Sequence, residues 1–155
     1  MRLSRAVLLA SALAMALVSC SSSGLPSARS VPHLTDPTAT GHRLVDRFFV
    51  LIEHKDVAGL RTFLSPAFQV QRADGSASNK TEYFSNLPTL KKFSISHLTA
   101  TQDGAVLVVR YLATTEGIVN GKRYTPGPAP RLSVFAWTGR AWRLAAHANF
   151  NPLKG

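Results

Sequence analysis

The chain has 155 residues, 45% of them hydrophobic and 17% charged, with 18 Lys+Arg against 8 Asp+Glu for a formal net charge of +10. That length carries one domain of ordinary size, and the apolar fraction excludes a chain disordered by composition. A single cysteine excludes a disulfide scaffold, and the lack of any apolar run of about 18 residues excludes an ordinary membrane-spanning helix.

The first residues read as an address. Arg2 and Arg5 precede residues 6–18 (AVLLASALAMALV), an almost unbroken apolar stretch. A basic region followed by an apolar core of this length is the pattern of a secretory signal. As a helix it would extend about 20 Å, short of the roughly 30 Å hydrocarbon core of a bilayer. It closes on Leu17-Val18-Ser19-Cys20, which resembles the bacterial lipobox: a Leu three residues before a Cys, with small residues between. The resemblance implies cleavage before Cys20, diacylglyceryl attachment to its sulfur and acylation of the new amino group. At ~0.8 kcal/mol per buried CH₂, such chains hold a protein at a membrane permanently. The residues alone leave a second reading, cleavage after Ala14-Met15-Ala16 with Cys20 as a spare thiol. The expected organisation is a signal peptide over 1–19, a lipidated Ser/Pro-rich tether over 20–35 and a folded domain over 36–155. The protein is expected to be exported and lipid-anchored to the bacterial cell membrane or envelope. Removing residues 1–19 leaves 16 Lys+Arg against 8 Asp+Glu, a net of +8. That location argues against nucleic acid as a partner. The basic residues are scattered, which suits a solvated surface or attraction to anionic headgroups.

Asp36-Pro37 starts a helix, with Asp as N-cap and Pro at the first position. Leu44, Phe48, Leu51 and Ile52 recur at helical spacing, widened by Val45 and Phe49, to an end near Lys55. Asp56 caps a second helix over 57–64, stopped by Ser65-Pro66. Phe68 and Val70 alternate with Gln as a short strand, and Ala73-Asp74-Gly75-Ser76 is a turn. Asn79 with Glu82 three residues on forms a capping box for a third helix over 80–86. From Leu90 the period becomes two: Phe93, Ile95 and, after His97, Thr99. Asp103-Gly104 turns into a long strand over 105–119, and Asn120-Gly121 is a second hairpin turn. Residues 124–130 (YTPGPAP) read as a loop or irregular edge, because proline is excluded from a central ladder. The last strands, over 132–137 and 142–150, flank a turn at Thr138-Gly139-Arg140. Helices followed by antiparallel strands make an α+β arrangement.

The helix ending in KDVAGLRTFLSPAF, the FQVQRADGS strand and turn, and the closing RLSVFAWTGRAWRLAAHANFNP resemble the nuclear-transport-factor-2-like (NTF2-like, SnoaL-like) superfamily over about Val45 to Pro152. The resemblance implies a cone, with N-terminal helices packed in a strongly curved antiparallel β-sheet around an interior pocket. It also implies a homodimer paired through the outer sheet face. Members include ketosteroid isomerases, polyketide cyclases and proteins without catalysis, so the fold carries little about function.

The isomerases of that superfamily use a pocket carboxylate as base. Here Asp46, Glu53 and Asp56 lie in or beside the first helix, Asp74 and Asp103 lie in turns, Glu82 is a cap partner, and Glu116 falls near a strand end. No carboxylate falls mid-strand. His147 is the other candidate. Strict alternation in the last strand groups Trp142, Leu144, Ala146, Ala148 and Phe150 on one face, and Arg143, Ala145, His147 and Asn149 on the other. Arg110 lies among valines in the long strand, followed by Tyr111. The candidate ligand-binding set is therefore Tyr83, Arg110, Tyr111, His147 and Asn149. If that polar face looks inward, the set orients an anionic or carbonyl-bearing ligand. If it looks outward, these residues meet water or a second copy. No metal-ligand spacing, nucleophile elbow or phosphate loop occurs, and no metal or cofactor is expected. The leading expectation is a noncatalytic domain that binds a small apolar or amphipathic ligand or a protein partner. The alternative is an isomerase-like enzyme with His147 as general base and Arg110 or Tyr83 stabilising the oxyanion.

Overall fold

A computed structural model describes residues 30–119, 121–123 and 127–150. The expected signal peptide, Cys20 and most of the tether lie outside the described residues, as do Asn120 and residues 124–126.

Helix α1 (Pro37–Glu53) starts where the sequence places it: Asp36 is the N-cap, its Oδ1 accepting from the Ala39 N–H at 2.8 Å. Helix α2 (Val57–Phe63) repeats the device, with Asp56 Oδ1 accepting from the Gly59 N–H at 2.8 Å. The chain then enters β1 (Leu64–Gln71) directly. The helix ends one residue before the expected Leu64, and Ser65-Pro66, expected to stop it, also lies in the strand, because extended backbone suits both proline and the residue before it. Strand β2 (Ala77–Asn79) folds back on β1, and α3 (Lys80–Ser85) follows with the Asn79–Glu82 capping box in place. Strands β3 (Thr89–Asp103), β4 (Val106–Val119), β5 (Lys122–Arg123), β6 (Ala129–Trp137) and β7 (Trp142–Asn149) follow.

The sheet runs β2-β1-β7-β6-β4-β3, with β5 paired to β4 off this path. Its pairs are antiparallel except β1–β7, which is parallel, so the sheet is mixed rather than the all-antiparallel one expected. That pairing joins Leu64 to Leu144 across most of the domain, and no local pattern announces a contact at that separation. Pro130 also departs from expectation by lying inside β6, opposite Leu112. Its carbonyl accepts from the Phe150 N–H at 3.1 Å, at the level where β7 ends, so the missing proline N–H interrupts no ladder.

Two irregularities bend the sheet. In β3 the register shifts between Ser96 and Thr99, with His97 at φ 52°. The alternation therefore changes phase, and Leu98 and Ala100 turn toward the core while Thr99 is exposed, the reverse of the expected placement. In β7, Phe135 pairs with Leu144 while Val134 pairs with Ala146, so Ala145 is an extra residue. Such bulges add bend and twist and re-aim the side chains beyond them.

Helix α1 lies in the resulting concavity. Gly41 sets how close it approaches: a Cβ there would stand 2.9 Å from the Ala100 Cβ and 3.1 Å from Val109. Val45, Phe48, Phe49 and Ile52 pack onto the sheet's inner face, where Leu107, Val109, Phe135 and Leu144 are buried. Each fully buried leucine contributes about 2 kcal/mol of apolar transfer energy.

Candidate functional site

The inner face of β4 keeps strict alternation through Leu107, Val109, Tyr111 and Ala113, all buried. Arg110, between Val109 and Tyr111, consequently faces away and is exposed. It is not part of the concave site, which corrects that part of the expected set. The bulge at Ala145 does the opposite for His147. Leu144 and His147, three residues apart, are both buried, so the expected grouping by strict alternation fails there.

Two cross-strand rows result. Val109, Ser133, His147 and Val70 stand in register across β4, β6, β7 and β1, and Tyr111, Arg131 and Asn149 stand in the next row. The Tyr111 hydroxyl lies 3.1 Å from Ser133 Oγ, which lies 3.0 Å from His147 Nδ1, making one buried hydrogen-bonded chain. From the helix side, the Phe48 and Phe49 rings meet the imidazole edge-on, with centroids 5.2 and 6.3 Å away.

Beyond this chain the concavity opens into a cavity of about 70 Å³, partly open to solvent. Phe48, Phe49, Ile52, Val70, Pro88 and Leu90 form its apolar wall, and Arg72, Tyr83, Arg131, His147 and Asn149 its polar wall. Thr89, Thr115 and Gly117 complete it, so no Asp or Glu lines it among the described residues. A second, mostly apolar groove of about 150 Å³ shares Ile52, Pro88 and Thr89 with the cavity and adds Lys55, Val57, Leu60 and Leu87.

Arg72 and Arg131 are each only 5% exposed. Neither stands out in the sequence, because arginine is rarely buried and each sits beside a turn or proline segment. Arg72 follows β1 in a tight turn: its N–H donates to the Ser76 carbonyl at 2.7 Å, and the Gly75 N–H donates to its carbonyl at 3.0 Å. Gly75 takes φ 85°, the positive value that turn requires. The Arg72 side chain donates from Nη1 to Ser78 Oγ at 2.9 Å. Arg131 donates from Nη1 to the Pro130 carbonyl at 3.0 Å.

This environment sets the protonation of its members. Burial first, then the Arg131 guanidinium, hold His147 down to about 3, with a smaller contribution from Arg72 and an opposing upward pull from the Asn149 side chain. The Asn149 Oδ1 exerts that pull without reaching hydrogen-bond geometry and is buried unpartnered. Burial raises the Tyr83 and Tyr111 hydroxyls well above the ordinary tyrosine range, so both are neutral donors at any physiological pH. Of the expected set, Tyr83, His147 and Asn149 line the cavity. Tyr111 is linked to it through Ser133 and His147, and Arg110 stands apart. Among the described residues no cluster of His, Cys, Asp and Glu is placed to hold a metal ion, and no helix is long and apolar enough to cross a membrane.

Helices inside a curved, unclosed mixed sheet define the NTF2-like fold, and solved structures agree. An NTF2-like protein from Cytophaga hutchinsonii superposes with a TM-score of 0.65 at 15% identity, covering 74% of this chain and 97% of that one. An NTF2-like protein of unknown function in nutrient uptake from Rhodospirillum rubrum gives 0.61 at 20% identity, covering 74% and 98%. The CaMKII hub homology domain of Chlamydomonas reinhardtii gives 0.59 at 14% identity, covering 77% and 100%. At these identities the likeness shows the fold alone. No family model matches the sequence, and no curated protein matches it.

Proposed function

We propose that this chain is an exported, membrane-anchored lipoprotein whose NTF2-like domain binds a small apolar or amphipathic molecule without transforming it. One observation carries the reading: a partly open cavity with an aromatic and aliphatic wall on α1 and a polar wall on β6, β7 and the turn after β1. Its enclosed volume of about 70 Å³ is well below the several hundred cubic ångströms of drug-sized sites. Only a small molecule, or one end of a larger one, fits inside. Binding without chemistry is supported by His147, which at about 3 is neutral at pH 7 and a far weaker base than general-base catalysis at that pH uses. The membrane anchor is supported by the lipobox resemblance at Cys20, and pairing of two copies through the outer sheet face by Val106 and Ile118, both exposed on β4.

A second reading has a specific observation in its favour. His147 does face the cavity, hydrogen-bonded through Ser133 to Tyr111, the placement an isomerase-like general base requires.

Native mass spectrometry of the full chain, released from its own membranes in mild detergent, tests binding. A retained small molecule is expected, and a chain that is empty at every gentle setting contradicts the reading. Intact mass tests the anchor: wild type should exceed Cys20→Ala by the mass of the acyl groups. Equal masses apart from the substitution, with the signal removed from both, would exclude lipidation.

A further inference from the structure

We propose that the cavity is a carboxylate site: an amphipathic monocarboxylate seats its head against the Arg72 guanidinium, beside Arg131, and lays its apolar body along Phe48, Phe49 and Ile52. This rests on the ligand-binding reading above and names the class of ligand.

Arg72 carries the argument. It is 5% exposed, and its side-chain hydrogen bond goes to a neutral hydroxyl, Ser78 Oγ. Among the described residues no Asp or Glu shares the cavity. A guanidinium largely removed from water without a counter-charge destabilises the fold. An apolar residue in its place would spare the fold that cost, so the position makes sense if an anion arrives. Guanidinium offers five N–H donors in a planar fork, of which Ser78 takes one, and that fork matches the two oxygens of a carboxylate. The turn holding the Arg72 backbone through Ser76 and Gly75 sets the fork in advance of binding.

Arg131 adds a second buried positive charge to the same wall, and its field reaches the cavity, since it depresses His147. His147 and Tyr83 add neutral polar groups to that wall. The opposite wall is aromatic and aliphatic, and the adjoining groove at Ile52, Pro88 and Thr89 extends it. A charged head with a short hydrocarbon body matches both surfaces. The 70 Å³ of the cavity takes the head and the first carbons along Phe48, Phe49 and Ile52, and a longer body continues past Ile52 toward the groove.

The test is isothermal titration of the full chain at pH 7 with hexanoate, hexanamide and inorganic phosphate. Hexanoate is expected to bind at least tenfold tighter than either of the others, and Arg72→Met to weaken it at least tenfold. Equal affinity for acid and amide would overturn the carboxylate assignment while leaving the pocket reading standing. Phosphate binding tighter than hexanoate would overturn it in favour of a different anion. No binding of any of the three would count against both readings. Unchanged hexanoate affinity in Arg72→Met would remove Arg72 from the site. The acid–amide comparison uses the unmodified chain and decides the matter even if the variant does not fold.

Discussion

The β6–β7 hairpin has two halves that share strands, pairing and curvature but differ in what they bury. On the turn side of Ala145, Phe135, Trp142 and Leu144 are buried, with Phe63 stacked edge-on against Phe135 at 6.0 Å. On the other side, Arg131, Ser133, His147 and Asn149 turn to the same concave face. The first half is a core that any α+β domain would build. The second places two guanidinium groups, with Arg72, and a neutral imidazole where apolar side chains would be more stabilising. Buried charged and polar groups are where a fold departs from its stability optimum, and such departures collect at functional sites. A single extra residue, Ala145, separates the two halves.

That contrast predicts unequal responses to substitution. The largest belongs to the closed half. Leu144→Ala empties a fully buried position and should cost about 2–5 kcal/mol, read from urea unfolding. Next is Gly117→Ala, at the cavity wall. A Cβ there collides with the Thr89 carbonyl oxygen, which is backbone and cannot rotate away. A loss of about 1–3 kcal/mol is expected, concentrated at the β3–β4 pairing.

The third prediction concerns acid. His147 is held at about 3 against an unfolded value of 6.5, so the unfolded chain binds the proton first. Its contribution to stability is present above pH 6.5 and is lost as pH falls toward 3. The slope is at most about 1.4 kcal/mol per pH unit. The stability difference between wild type and His147→Gln should therefore narrow between pH 6.5 and 5. A difference that stays constant over that interval would mean the imidazole is not held neutral.

The helices were largely legible in the sequence, and the polar half of the hairpin was not. Asp36, Asp56 and the Asn79–Glu82 pair act within three residues of themselves, so their caps show as local patterns. The long strand keeps period two, which puts Arg110 and Tyr111 on opposite faces, yet the expected binding set held both. What sequence left open was which face looked inward. The bulge lies in Ala145-Ala146, where two small neighbours carry no polarity to mark a change of phase. His147 could not be placed without it. Arg72 reads as part of a solvated turn because its burial depends on the β1–β2 hairpin folding against β7. The parallel β1–β7 pairing that completes the site depends on contacts some 80 residues apart, beyond the reach of periodicity.

The smallest expected effect is also the most direct test that the polar half serves a ligand rather than the fold. Arg72→Met removes a buried charge and one hydrogen bond to Ser78 while keeping a long apolar stem. The first change stabilises and the second destabilises, so the variant should be at least as stable as wild type. The measurement is urea unfolding of wild type, Arg72→Met and Leu144→Ala side by side. The account predicts Arg72→Met at or above wild type and Leu144→Ala far below both. An Arg72→Met chain that unfolds as readily as Leu144→Ala would show that the buried guanidinium holds the structure together, and the separation of the two halves would fall.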